Sequence, residues 1–133
     1  MGKHISDNLY SVWQVMCSDE DQPIVMVIHA GFTVRNELAV SVDLYDYEEP
    51  WYNCSTAAIV NIDDARRMAR RHRVPYDRLP MFIVSCMEDW REIVNAGFRQ
   101  VVACFKEITE CLLDEGCRFR IERTCGSNDR ICC

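Results

Sequence analysis

Apolar and polar residues alternate strictly over residues 38–44 (LAVSVDL). A period of two is typical of a half-buried β-strand, whose side chains point alternately to the two faces of a sheet. Two earlier segments, 9–17 (LYSVWQVMC) and 24–29 (IVMVIH), are rich in β-branched and aromatic residues, and polar turns separate the three segments. Because short turns favour antiparallel neighbours, we predict a β-meander over the first 45 residues.

The apolar pattern becomes helical in the second half of the chain. Asn61 is a favourable N-cap, because acids follow it and arginines come later, and this predicts a helix that ends before Pro75. Residues 80–87 (PMFIVSCM) fit a strand or a helix, and we favour a helix that starts near Pro75. Apolar residues then recur every three or four positions over 89–115, which predicts one long amphipathic helix.

Alternation returns near the end of the chain. Gly116 stands where a left-handed helix cap is expected, and residues 117–123 alternate between apolar and charged side chains, which predicts a final strand. Residues 46–55 (DYEEPWYNCS) are predicted to form a loop. The predicted fold is therefore α+β: an antiparallel β-meander, two or three helices packed on one face of the sheet, and a returning C-terminal strand.

Length and composition are those of an ordinary globular domain. The chain has 133 residues, of which 49% are hydrophobic and 27% charged, and this is enough to bury a core without cross-links. We predict a single domain over residues 1–124 and a flexible, cysteine-rich tail over residues 125–133.

The N-terminal residues MGKHISDN lack the apolar segment of a secretory signal peptide. The longest apolar run, residues 24–30, is far shorter than the roughly 20 residues that cross a bilayer. We therefore expect a cytoplasmic protein without membrane attachment, in a compartment where thiols stay reduced.

The net charge of −6 is unevenly distributed. Residues 1–64 carry two basic residues against eleven acids, whereas residues 65–133 carry thirteen basic residues against ten acids. The acidic total disfavours non-specific binding to nucleic acid. Five arginines nevertheless lie within residues 66–73 (RRMARRHR), where a predicted helix would present them to phosphates, so nucleic-acid binding through Arg66–Arg73 is one alternative function.

Nine cysteines invite a search for thiol chemistry. Five of them fall at apolar positions and are predicted to be buried: Cys17, Cys86, Cys104, Cys111 and Cys117. No two cysteines have the close spacing of a zinc site, and an odd number excludes a complete set of intramolecular disulfides.

Cys54 lies in the predicted polar loop and is the candidate reactive thiol. Together with the tail cysteines Cys125, Cys132 and Cys133, it supports a second alternative, a redox-responsive or metal-binding protein. A Cys54–His29 nucleophile–base pair is conceivable, but nothing in the positions of these two residues favours it.

Four aromatic residues in and beside the loop are candidate partner-binding residues: Tyr45, Tyr47, Trp51 and Tyr52. Tryptophan and tyrosine are enriched at the hot spots of protein interfaces. These side chains either contact a partner or fold back over the sheet, and the sequence leaves both open.

The first functional hypothesis is a non-catalytic interaction or accessory protein that binds a protein partner or a second copy of itself. The chain contains no hydrolase, kinase, dinucleotide-binding or metalloenzyme motif. We therefore predict no catalytic, cofactor-binding or metal-binding residue, and the sequence favours a protein that is not an enzyme.

Overall fold

The computed structural model describes residues 4–125 of the chain. Five antiparallel strands form one sheet in which spatial order follows sequence order. The strands are β1 (Tyr10–Cys17), β2 (Ile24–Phe32), β3 (Leu38–Asp46), β4 (Cys54–Val60) and β5 (Phe119–Cys125). The predicted meander and the returning C-terminal strand are both confirmed.

Strand β4 is an element that the sequence pattern did not reveal. It begins inside the predicted 46–55 loop and places β5 beside it rather than beside β3. Its four last residues, 57–60 (AAIV), are all buried, because β4 is covered on both faces. A strand that is buried on both faces shows no polar alternation, so its period cannot be read from the sequence.

Four α-helices lie between β4 and β5 in the chain. They are α1 (Ile62–Arg71), α2 (Leu79–Cys86), α3 (Glu88–Arg91) and α4 (Phe98–Asp114). Short 3-10 turns occupy Ile5–Asn8, Pro50–Tyr52 and Tyr76–Arg78. Within residues 4–125, no helix is both long enough and apolar enough to cross a membrane.

The predicted cap of α1 is confirmed. The Asn61 side-chain oxygen accepts hydrogen bonds from the backbone N–H groups of Asp63 and Asp64, at 3.0 and 3.1 Å. The helix ends earlier than the arginine pattern suggested, because Arg73 lies outside it with a φ of +58°. Residues 79–86 are helical, as favoured above, with Pro80 in the first turn, where its missing N–H costs little.

The prediction of one continuous helix over 89–115 is wrong. The chain leaves helical geometry between α3 and α4, where Asn95 adopts a left-handed φ of +54° and Gly97 caps α4. The carbonyl of Ala96 accepts a hydrogen bond from the Asp19 N–H, at 2.9 Å, instead of an intrahelical one. The spacing of apolar residues does not reveal this break, because Ile93 and Ala96 contribute to the core although they lie in the interruption between α3 and α4.

All the helices pack on one face of the sheet. Cross-strand neighbours such as Ala30, Val40 and Ala58 point to this face, which we call the helix face. It carries the main core, whose largest fully buried members are Phe32, Ile28, Leu38, Leu79, Ile108, Val15, Val40, Val60 and Val101. The opposite face, which we call the open face, carries a smaller buried cluster of Ala39, Ala57 and Ile59.

The last strand differs in detail from the prediction. It spans Phe119–Cys125 rather than residues 117–123, so Cys125 belongs to the sheet and not to a tail. Ile121 points to the helix face but is 43% exposed, because β5 is an edge strand that the helices do not cover. Residues 126–133, with the tail cysteines Cys132 and Cys133, lie outside the described residues.

The end of α4 follows the sequence prediction. Gly116 has a φ of +80°, a left-handed conformation that glycine adopts without steric cost. The N–H of Cys117 reaches back to the carbonyl of Leu112, and that of Gly116 to Leu113, each at 2.9 Å. This Schellman pattern satisfies the last helical carbonyls and turns the chain toward β5.

A buried carboxylate joins α1 to the segment that leads into β5. Asp64 accepts hydrogen bonds from the backbone N–H and the Nε of Arg118, both at 2.9 Å, and from Arg67 at 3.1 Å. Hydrogen bonding to Arg118 lowers the pKa of the Asp64 carboxyl to about 2. Because this value lies below that of an unfolded aspartate, the ionised form stabilises the fold.

We expect Asp64→Asn to lower the free energy of unfolding at neutral pH. The lowered folded pKa means that the contribution of Asp64 is complete above about pH 4 and disappears as pH falls toward about 2. Urea denaturation of both proteins should therefore give unfolding free energies that differ at pH 7 and converge near pH 2.

Asp63→Asn is the matched control, since Asp63 lies in the same helical turn but is exposed. An equal loss of stability in both variants would show that the helix dipole, and not the Arg118 contact, is responsible.

Candidate functional site

A buried carboxylate also organises the open face. Asp43 of β3 is fully buried and receives hydrogen bonds from three side chains: His29 Nδ1 at 2.6 Å, Ser41 Oγ at 3.1 Å, and Ser55 Oγ. The strand register explains this, because Ser55 lies directly opposite Asp43 and His29 lies diagonally across on β2. A buried carboxylate needs such partners, since an uncompensated buried charge is very costly.

The bond to Asp43 fixes the orientation of the His29 ring. An ionised carboxylate only accepts hydrogen bonds, so Nδ1 carries the hydrogen, and the neutral ring then has a bare acceptor at Nε2. The described residues give Nε2 no hydrogen-bond partner, and the His29 side chain is 17% exposed. This nitrogen is therefore available to a ligand.

The N-terminal segment covers the other side of the network. The Ile5 N–H donates to Ser55 Oγ at 3.1 Å, and His4 Nε2 lies 2.7 Å from the Leu44 carbonyl. Ile5 and Leu9 pack on the small cluster of the open face. Ser55 is thereby buried beneath this segment, whereas His29 stays accessible.

The arrangement differs from that of a Ser–His–Asp hydrolase. In that triad the histidine lies between the serine and the aspartate and takes the serine proton. Here Asp43 lies between the two, because Ser55 donates to Oδ1 while His29 binds Oδ2. Ser55 therefore has no base to activate it, and the network fixes structure and orients His29.

His29 lines a groove of about 450 Å³ on the uncovered part of the open face. The other lining residues are Gln14, Cys17, Glu20, Val25, Val27, Tyr45 and Tyr47. Two of the four sequence-predicted aromatic residues thus reach the same groove as His29. His29 is not among the sequence-predicted site residues, although the alternation of β2 and β3 contains the signal that it shares a face with Asp43.

The four candidate aromatic residues occupy two different environments. Tyr45 is half-buried and stacks on His4, with ring centroids 3.9 Å apart, and burial raises the pKa of its hydroxyl. Tyr47, Trp51 and Tyr52 are 67%, 54% and 55% exposed. Trp51 and Tyr52 lie in the 3-10 turn between β3 and β4, away from the groove lining.

Internal hydrogen bonds hold the loop of residues 46–52. The Asp46 carboxylate accepts from the N–H groups of Glu48 and Glu49, at 3.1 and 3.0 Å, and the Asp46 N–H donates to Asn53 Oδ1 at 2.7 Å. The Tyr47 N–H donates to the Pro23 carbonyl at 3.0 Å, which ties the loop to the β1–β2 turn. The exposed aromatic side chains are therefore held on an ordered backbone.

Cys54 lies in a different position from the one predicted. It is the first residue of β4, half-buried, with Leu44 and Cys125 as its cross-strand neighbours. These neighbours place it on the helix face, whereas His29 points to the open face. The conceivable Cys54–His29 pair is therefore not formed, because the sheet separates the two side chains.

The five cysteines predicted to be buried differ in their exposure. Cys104 and Cys117 are buried, Cys17 is half-buried in the groove, and Cys86 and Cys111 are exposed, which corrects the prediction for these two. The buried residues of α4 form a narrower stripe than the apolar residues of its sequence do, and Cys111 lies outside the buried stripe. Burial raises the pKa of all five thiols, that of Cys104 to about 12.

We expect the rate of alkylation by iodoacetamide at pH 8 to depend on the exposure and the raised pKa of each thiol. Cys104 and Cys117 should react only after unfolding in urea, and Cys86 and Cys111 should react more slowly than free cysteine because less thiolate is present. Peptide mass spectrometry gives the rate at each site. A rate at Cys86 or Cys111 above that of free cysteine would show an activated thiol and contradict the expectation.

Several arginines of the proposed phosphate-binding segment contact protein groups. Arg67 pairs with Asp64, Arg71 pairs with Glu115 at 2.8 Å, and the Arg66 guanidinium lies over the Tyr76 ring. Arg73 follows the end of α1, so the helix carries four of the five arginines. Three of the five arginines thus have protein contacts.

The described residues were also compared with metal sites and with known proteins. Between residues 4 and 125, His, Cys, Asp and Glu side chains nowhere form a group of three or more that could hold a metal ion. Comparison with protein-family models, with curated proteins and with solved structures gave no match. The function must therefore be inferred from the surface itself.

A double-mutant cycle tests the His29–Asp43 pair. We expect His29→Leu to lower the free energy of unfolding by about 3 kcal/mol, because it removes one of the hydrogen-bond donors of the buried carboxylate. The same change should cost about 1–2 kcal/mol less in the Asp43→Asn background, where no charge remains to be compensated. Urea denaturation at pH 7 measures all four proteins, and additive effects would show that the pair is not coupled.

Proposed function

We propose that the protein is a non-catalytic interaction protein that binds a basic segment of a partner protein through the 46–52 loop. The observation that carries this proposal is the exposure of Tyr47, Trp51 and Tyr52 on a loop whose only charged residues are acids.

The loop has the features of an interface hot spot. Large aromatic side chains contribute most of the binding energy at many interfaces, and Trp and Tyr lose little conformational entropy on binding. The hydrogen bonds of Asp46 and Tyr47 hold the loop before any partner arrives. This preorganisation lowers the entropic cost of association.

Charge points to a basic partner. Asp46, Glu48 and Glu49 belong to the same loop as the exposed rings, and the bond from Tyr47 to Pro23 ties the loop to the β1–β2 turn, which carries acids at residues 19–21. Acidic surfaces accelerate the approach of basic partners. An arginine guanidinium can also lie over the Trp51 or Tyr52 ring, a favourable cation–π contact.

An array of immobilised 15-residue peptides that vary in net charge and arginine content tests the proposal. We expect the purified protein to bind arginine-rich peptides preferentially, with an affinity that falls as salt is raised. Trp51→Ala and Tyr52→Ala should each weaken binding about tenfold or more, since each removes an aromatic contact.

Trp13→Ala is the matched control, because Trp13 is a tryptophan of similar exposure on β1. Equal losses in the Trp13 and Trp51 variants, or no preference for basic peptides, would refute the loop as the binding surface.

A further inference from the structure

The groove on the open face presents hydrogen-bond acceptors. His29 offers Nε2 in its neutral form, because Nδ1 donates to Asp43. Gln14 lies directly opposite His29 across β1 and β2 and adds an amide oxygen, and Glu20 adds a carboxylate. A ligand that donates several hydrogen bonds from one atom would match these three groups.

The groove is also electronegative. Glu20 lies on its wall, and Asp43 lies beneath His29. A neighbouring depression shares Cys17 and Glu20 with the groove and adds Asp19 and Asp21. The described residues that line these two depressions include no lysine or arginine, so their field favours a cation.

The remaining lining suits the body of a small organic molecule. Val25 and Val27 form an apolar floor, and the Tyr45 and Tyr47 rings stand at one side, with centroids 6.2 Å apart. Tyrosine rings attract cations through their π faces. A volume of about 450 Å³ falls in the range of small-molecule sites.

We propose that this groove binds a small primary amine in its protonated form. The ammonium group donates to His29 Nε2, the Gln14 amide oxygen and the Glu20 carboxylate, and the apolar body of the ligand lies on Val25 and Val27 beside the tyrosines. The proposal does not depend on the peptide-binding function of the loop, although Tyr47 borders both surfaces.

Three probes that share one ring and differ in charge test the proposal: 2-phenylethylamine, 2-phenylethanol and phenylacetate. Titration into the isotopically labelled full chain, followed by NMR, reports the affinity and the location of each probe. We expect the amine to bind at least about tenfold more tightly than the alcohol, with the largest shifts at the Val25 and Val27 methyl groups and the His29 ring. Phenylacetate should bind most weakly, because Glu20 and Asp43 repel it.

Glu20→Gln should weaken amine binding about five- to tenfold and leave binding of the alcohol unchanged, because it removes a charge and keeps the shape. Glu110→Gln is the matched control, since Glu110 is an exposed glutamate of α4 outside both depressions. Trp51→Ala should leave amine affinity unchanged, which separates this site from the loop surface.

Three results would overturn the proposal: no amine binding at millimolar concentration, equal binding of amine and phenylacetate, or unchanged amine affinity in the Glu20→Gln protein. Shifts confined to residues 50–52 would likewise place the amine elsewhere. Each of these outcomes leaves the peptide-array result untouched, so the two proposals fail separately.

Discussion

The open face depends on one constraint, the need of the buried Asp43 carboxylate for hydrogen-bond donors. Three side chains supply these donors: His29, Ser41 and Ser55. Two of them, Ser55 and His29, also make or offer contacts elsewhere on this face. Ser55 also accepts from the Ile5 N–H, which anchors the N-terminal segment over part of the open face. The second ring nitrogen of His29, Nε2, stays accessible on the uncovered part of the open face. A single buried charge thus determines which part of this face is closed and which part is accessible.

The two faces of the sheet differ in what covers them: helices cover one face, and the other carries the N-terminal segment and the groove. The helix face buries a large apolar core against α1, α2 and α4, and the Asp64–Arg118 contact joins α1 to the returning strand. On the open face, Ile5 and Leu9 of the N-terminal segment pack on the small apolar cluster, and the bond from Ile5 to Ser55 ties this segment to the Asp43 network. The polar side chains of the open face that this segment leaves uncovered line the groove.

Sequence patterns predicted the elements that have a local signal in the chain. Strand β3, the α1 cap and the Gly116 turn could be recognised because alternation, capping and glycine each have a local physical cause. Strand β4 could not, because its residues 57–60 are apolar on both faces, and neither could the α3–α4 break, because the left-handed Asn95 and the Asp19–Ala96 contact are tertiary features. The site residue His29 required strand register as well as alternation, which a single sequence does not supply.

The position of Asp43 also limits what His29 can do. In a hydrolytic triad the carboxylate binds the histidine, and the histidine binds the serine. Here the Asp43 carboxylate itself accepts a hydrogen bond from Ser55, whose hydroxyl is buried. Burial likewise raises the pKa of Cys17, the thiol in the groove, with Glu20 adding to the effect, so it is a poor nucleophile. The groove therefore combines an oriented acceptor with a thiol of low reactivity. The lining thus presents the hydrogen-bond acceptors of His29, Gln14 and Glu20 beside the apolar side chains of Val25 and Val27.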